Sequence, residues 1–245
     1  EFRGRGISEA WAEEIGNVGF EVTQDPASAD LAFFVSDSQL TVHPEVIGKI
    51  PTVSYFWGWP PGTWHLSHLR EDREKKLALM AACTRVLTPS IITSYQLADF
   101  GIDAQMCLAG VDAKTLGNAE PLSERKVQAV WLSRIQPYKG LEDAIQAVAL
   151  TEPKIPLLVL GPGDRTPYEK LARDVGADVT FLEPTDAEKV QIIRESAVML
   201  CTSRYEGWGL TPLECLYLGT PVIAYDIPHL RWLLQEDAFY YTTVE

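Results

Sequence analysis

The chain has 245 residues, 46% of them hydrophobic, and 21 Lys and Arg against 34 Asp and Glu give a formal net charge of −13. This length suits two domains and the composition is rich enough in apolar residues to bury sheets. The acidic balance excludes a nucleic-acid binder, which needs clustered cations, and a simple electrostatic hold on an anionic membrane surface.

Short apolar runs alternate with helical patterns along the chain, the signature of open parallel sheets covered by helices. Gly4-Arg5-Gly6 precedes a helical pattern over 8–15, and Gly19 introduces a strand candidate at 20–23. Strands are expected at 31–35, 52–56 and 86–88, then a helix over 90–100 that Gly101 stops. The aromatic run from Tyr55 to Trp64 has two readings that stay open: Trp57 and Trp59 form a platform for an acceptor, or a strand end packs under a Pro-rich loop. His65 and His68 lie nearby, but a lone His is more often structural, so no catalytic base is assigned.

The polar stretch 112–126 reads as an interdomain linker. Beyond it strands are expected at 127–132, 156–160, 179–182, 198–202 and 221–224, the last of them the final clear strand. Helices are expected at 141–150, 168–175 and 187–196, and after the loop at 202–209, ending at Gly219. The expected organisation is an N-terminal Rossmann-like domain over 1–112, a linker over 113–126 and a C-terminal Rossmann-like domain over 127–245. In such sheets a ligand lies outside the carboxyl ends of the strands.

Cys83, Cys107, Cys201 and Cys215 show no metal-ligand spacing and sit in apolar stretches, so buried free thiols in a reducing compartment are expected. No apolar run approaches the ~20 residues that span a bilayer, and no secretory signal opens the chain. The expected location is cytoplasmic, at most peripheral to a membrane.

Two segments carry chemistry. Glu206-Gly-Trp-Gly-Leu-Thr-Pro-Leu-Glu214 brackets a Gly-x-Gly turn and a helix start with carboxylates. Gly207 and Gly209 let the main chain approach a ligand, and the free N–H groups of the following helix suit an anion. The carboxylates suit sugar and ribose hydroxyls. Thr211, Pro212 and Glu214 also read as a capping box, which leaves Glu214 a structural alternative. Earlier, Ser133-Arg134-Ile-Gln-Pro-Tyr-Lys139-Gly140 places two cations between a strand and a helix, suited to a diphosphate.

Together these segments resemble the E-x7-E and G-R-L-x-x-x-K-G motifs of the retaining GT4 glycosyltransferases, which have two Rossmann-like domains facing each other across a cleft (the GT-B fold). Gly110-Val111-Asp112, Gly161-Pro-Gly163, Phe181-Leu182-Glu183 and Gly219-Thr-Pro-Val-Ile-Ala224 extend the resemblance over roughly 86–230. Ser133 stands where the family usually has Gly, and a positive φ there would be strained. Many relatives also carry a His where this chain has Trp57-Gly58.

The resemblance implies metal-independent transfer of a sugar from a UDP- or GDP-linked donor to an acceptor hydroxyl, in carbohydrate biosynthesis. The acceptor is a carbohydrate, a lipid-linked molecule or a small molecule. Arg134 and Lys139 would stabilise the leaving diphosphate, and Glu206 would hold hydroxyls of the moving sugar. The amides of Gly207, Trp208, Gly209 and Leu210, with Thr211, would line the donor site. Glu214 would take ribose hydroxyls, and Gly4 and Gly6 would close on the donor from the N-terminal domain. No cofactor, metal or nucleic-acid partner is implied. The N-terminal domain is short and both ends read as truncated against the family pattern, so a fragment or a compact member is expected. A nucleotide-sugar-binding module without catalysis, or a subunit needing a partner, is the alternative; a dinucleotide oxidoreductase lacks its full glycine fingerprint here.

Overall fold

In a computed structural model of the protein, residues 7–23, 25, 28–60, 67–118 and 125–244 are described. The chain divides into two compact units, Arg5–Ala109 and a second that runs from Gly110 to Glu245.

The N-terminal unit begins with α1 (Ile7–Asn17), then β1 (Ala32–Phe34), the one-turn α2 (Asp37–Leu40) and β2 (Thr52–Tyr55). It continues with α3 (Ser67–Ala81), β3 (Arg85–Thr88), α4 (Ile91–Ala98) and the short β4 (Gln105–Met106). Its four strands pair in the order β1-β2-β3-β4, all parallel. Phe34, Leu40, Phe56, Trp59, Met80 and Leu97 form the core beneath the sheet. Ser90 starts α4 because its hydroxyl accepts from the Thr93 amide at 3.2 Å, and Gly101 ends that turn at φ +71°. Helix α3 has no clear apolar stripe for a pattern reading to find. It forms from strong helix formers and the i,i+4 pairs Arg70–Glu74 and Lys76–Asp72, and buries Met80.

The C-terminal unit starts with α5 (Ala113–Leu116), inside the stretch expected to be a linker. Asp112 caps it by accepting from the Lys114 and Thr115 amides, and Leu116 is buried in the core of this unit. Then follow β5 (Lys126–Leu132), α6 (Leu141–Leu150), β6 (Leu157–Leu160), α7 (Thr166–Val175) and β7 (Val179–Leu182). The chain goes on through α8 (Asp186–Glu195), β8 (Ser196–Cys201), α9 (Leu210–Tyr217), β9 (Val222–Tyr225), α10 (Pro228–Leu234) and β10 (Ala238–Tyr241). These six strands are parallel in the order β10-β9-β8-β5-β6-β7. Strand β5 sits at the centre and from Ala129 to Leu132 is apolar on both faces, as a doubly covered strand must be. Ala129 and Trp131 join one core with Leu141, Ile145 and Leu157, while Val130 and Leu132 join the other with Ile193 and Leu218.

Two expectations are corrected. Residues 20–23 pair with no strand among the described residues; Val18, Phe20 and Val22 are exposed, so the alternating pattern there has no sheet to enter. The sheet also does not end at 221–224: α10 and β10 follow, and β10 pairs with β9 over four positions. All four cysteines are free, with Cys201 and Cys215 buried but Cys83 and Cys107 only half-buried.

Candidate functional site

Strands β5 and β8 are neighbours, yet the chain leaves β5 for β6 on one side and reaches β8 on the other. Loops after these two strands therefore turn apart, which opens a crevice at the carboxyl ends of the strands. The loop after β5 carries Arg134 and Lys139, and the loop after β8 carries Glu206 to Gly209.

Three contacts lock the two loops together. Trp131 Nε1 donates to Thr202 Oγ1 at 2.9 Å, and the same hydroxyl donates to the Lys139 carbonyl at 2.8 Å. The Arg204 amide donates to the Tyr138 carbonyl at 2.8 Å. Gly140 makes this approach possible: it lies at φ +65°, and a Cβ there would stand 2.3 Å from the Thr202 carbonyl oxygen. With the loops so held, Lys139 Nζ meets Glu206 Oε1 at 2.6 Å, and the two side chains are only 12% and 14% exposed. Arg134 is on the same loop as Lys139 and exposed; among the described residues no carboxylate pairs with it. Gly161 and Gly163 brace this loop from β6, since a Cβ on Gly161 would lie 1.9 Å from the Ser133 carbonyl oxygen. Ser133 is not among the residues at positive φ, so its replacement of Gly carries no backbone strain.

Arg204 and Asp143 form a second clasp. Arg204 Nη2 donates to Asp143 Oδ2 at 2.6 Å, the Tyr241 hydroxyl donates to the same oxygen at 2.9 Å, and the guanidinium lies 3.8 Å from the Tyr225 ring centroid. This ties the first turn of α6 to the approach to Glu206 and to the ends of β9 and β10.

Helix α9 begins at Leu210 with Gly209 as its N-cap at φ +103°. Thr211 is thus the second helical residue and Glu214 the fifth, so the capping-box reading of Glu214 does not hold. Its carboxylate instead faces α8, with Lys189 Nζ at 3.5 Å. Burial raises the Glu214 pKa above the usual carboxylate value, against the pull of Lys189. Trp208 turns its ring into the core, 6% exposed, so only its main chain remains for a ligand. His229, at 4% exposure, holds the Trp208 carbonyl through Nε2 at 2.7 Å.

The remaining candidates are separate from this cluster. Trp59 belongs to the N-terminal core: Phe56 meets its ring edge-on at 5.1 Å, Arg73 covers it at 5.2 Å, and Nε1 donates to Asp37. It is 8% exposed, which leaves no ring face for a sugar, so the platform reading is corrected for Trp59. Trp57 is half-buried, with its indole N–H donated to the Val35 carbonyl at 2.7 Å. Gly4, Gly6 and His65 lie outside the described residues, as does the side chain of His68. The pattern reading missed Thr202, Arg204, Lys189 and His229. Arg204 alone had a signal, its place two residues before Glu206; the others act through burial or through elements distant in sequence.

Residues 112–238 match the family model described as glycosyl transferases group 1. A phosphatidyl-myo-inositol mannosyltransferase of Mycobacterium tuberculosis is 28% identical over 162 residues, covering 62% of this chain and 43% of the relative. A D-inositol 3-phosphate glycosyltransferase of Corynebacterium efficiens is 33% identical over 140 residues, covering 51% and 33%. The chain spans less than half the length of these curated relatives. Among solved structures, Anabaena Alr3699/HepE in complex with UDP and glucose has a TM-score of 0.75 at 19% identity, covering 99% of this chain and 71% of that one. Sucrose-phosphate synthase from Thermosynechococcus elongatus has a TM-score of 0.70 at 18% identity, covering 95% and 63%. At such identities the likeness establishes the fold, the GT-B type built from parallel-sheet α/β units. No described helix is long and apolar enough to cross a membrane.

Proposed function

We propose, from the premise that this chain belongs to the glycosyl transferases group 1 family, that it takes a nucleoside diphosphate sugar at the β5 and β8 strand ends and transfers the sugar to an acceptor hydroxyl with retention of configuration. The observation that carries this reading is the Lys139–Glu206 pair at 2.6 Å, sheltered at the switch point of the sheet. It sets a cation for the leaving phosphate beside an acceptor for sugar hydroxyls.

In the transfer, the bond from the anomeric carbon to the β-phosphate oxygen breaks and negative charge grows on the diphosphate. Lys139 and the exposed guanidinium of Arg134 stabilise that charge without moving a proton. The acceptor oxygen bonds to the same face of the anomeric carbon, and its proton passes to the departing phosphate oxygen. Glu206 positions the sugar through its hydroxyls. Glu214 accepts from the ribose, and Lys189, 3.5 Å away, offsets part of the desolvation that raises the pKa of that carboxylate. The amides of Gly209 and Leu210 at the α9 entrance complete the positive lining. No metal is invoked, since fixed cations and amides supply the charge.

UDP and GDP are both suitable carriers; the likeness to a fold partner holding UDP and glucose supports the first, and the likeness to a mannosyltransferase leaves the second open. The acceptor class stays as wide as a carbohydrate, a lipid-linked molecule or a small molecule. The test is calorimetric titration with UDP and with GDP, with and without a chelator, followed by release of nucleoside diphosphate from the matching sugar donors. Binding of one carrier that the chelator does not affect, weakened at least about tenfold in Lys139→Ala, is expected. Binding without turnover would assign a donor-binding module instead, and binding of neither carrier would refute the proposal.

A further inference from the structure

The loop between Glu206 and α9 is held from below by one buried imidazole. His229 is the second residue of α10 and 4% exposed. Its Nε2 lies 2.7 Å from the Trp208 carbonyl oxygen. A carbonyl can only accept, so Nε2 carries the proton. The other ring nitrogen, Nδ1, is buried without a partner among the described residues, which burial makes tolerable only for the uncharged ring. Burial accordingly lowers the His229 pKa, against the opposing influence of the Trp208 hydrogen bond and Glu206.

The consequence lies across the peptide bond. In a trans peptide the C=O and the next N–H point in opposite directions. Drawing the Trp208 carbonyl inward to His229 therefore turns the Gly209 N–H outward, away from the core. No hydrogen-bond acceptor among the described residues takes that N–H. Gly209 can hold the arrangement because it lies at φ +103°, and it is wedged there: a Cβ would stand 2.9 Å from Leu233 Cδ2. Trp208 itself is locked between neighbours, with its ring centroid 6.0 Å from that of Trp232 and 6.5 Å from that of His229. The imidazole thus acts on a peptide plane in the loop that leads from Glu206 into α9, at the same strand ends as Lys139.

We propose that His229 is a positioning residue for the donor phosphates: its Nε2–H pins the Trp208 carbonyl and so presents the Gly209 amide to the diphosphate. The inference rests on the proposed function, since it needs a phosphate-bearing ligand at the β5 and β8 strand ends. It adds a residue from a different element, α10, whose side chain never touches the ligand. The chemistry required is a single N–H donor at the Nε2 position. Glutamine can place an amide N–H near that point, asparagine is too short, and leucine supplies none.

The test compares wild type with His229→Gln, His229→Asn and His229→Leu. For each, calorimetry gives the affinity for UDP, GDP and the corresponding nucleosides, and thermal melts report folding. The expected result is a loss of about tenfold in diphosphate affinity for Asn and Leu, with nucleoside affinity unchanged and most of the loss recovered in Gln. The split between diphosphate and nucleoside is decisive, because a merely structural role would weaken both together. Equal losses for both ligands, or a Gln variant no better than Leu, would overturn the inference while leaving the proposed function in place. If wild type binds neither diphosphate, the proposed function falls first and this inference falls with it. Should the Leu variant fail to fold, the Gln and Asn pair still decides the outcome.

Discussion

Removing the charge from Glu206 or Lys139 should reveal an energetic coupling that only a sheltered pair can have. Two unit charges 2.6 Å apart attract by about 6 kcal/mol at an effective dielectric near 20 and by about 1.6 kcal/mol in bulk water. With side chains 12% and 14% exposed, the pair sits nearer the first limit, but the cost of desolvating both groups takes back much of the gain. A net coupling of about 2 kcal/mol is the balance. The cycle comprises wild type, Lys139→Met, Glu206→Gln and the double variant. Hydrogen exchange of the β5 and β8 amides gives the stability of the C-terminal unit alone. Each single variant should lose more than the double variant implies, because each strands a partner in a dry place. Saturating UDP or GDP should shrink the coupling, since the phosphates then share Lys139. A coupling below about 0.5 kcal/mol without ligand would mean that solvent screens the pair, and the reasoning about this crevice would fail.

Three further outcomes follow from particular residues. Arg125, 9% exposed, donates to the carbonyls of Leu218 and Arg194 and to Thr220 Oγ1, tying the start of β5 to the ends of α8 and α9. Arg125→Met should cost about 3 kcal/mol by orphaning those acceptors, and a urea-midpoint shift worth less than 1 kcal/mol would contradict this. Gly161→Ala should displace the Ser133–Arg134 peptide, because its Cβ would fall 1.9 Å from the Ser133 oxygen at φ +145°. Reduced stability together with weaker donor binding is expected, and unchanged values of both would refute that bracing role. His229 has a folded-state pKa below its ordinary 6.5, so the unfolded chain binds the extra proton first. Its contribution is complete above about pH 6.5 and is lost as pH falls from there through the depressed folded value. Urea midpoints between pH 7.5 and 5.5 should fall more steeply for wild type than for His229→Gln; parallel slopes would show that the imidazole is not held neutral.

The difference between what a pattern reading could and could not find has a physical basis. Strands β5, β6, β8 and β9 were legible because each buries a run of apolar residues in the sheet, and the edge strand β7 because Val179, Phe181 and Leu182 still pack against its neighbours. Helix α3 was not, since its charged residues satisfy each other at i,i+4 and leave a weak stripe. Residues 20–23 misled because a short apolar segment after a glycine records only local composition, and a strand also needs a neighbour. Trp59 misled for a related reason: an aromatic cluster looks alike whether its rings face a ligand or each other.

From the order of residues alone came the alternating α/β architecture, the two-cation segment ending in Lys139-Gly140, and the acid-bounded glycine turn from Glu206 to Glu214. Such features are local, set by the period of apolar residues and by which residues tolerate a tight turn. Folding decided the rest. It paired Lys139 with Glu206, gave Glu214 to Lys189 rather than to a helix cap, buried Trp59, and set His229 under the Trp208 carbonyl. Each of these joins residues from separate elements, and the strand order and the packing of side chains, which no local pattern records, determine which of them meet.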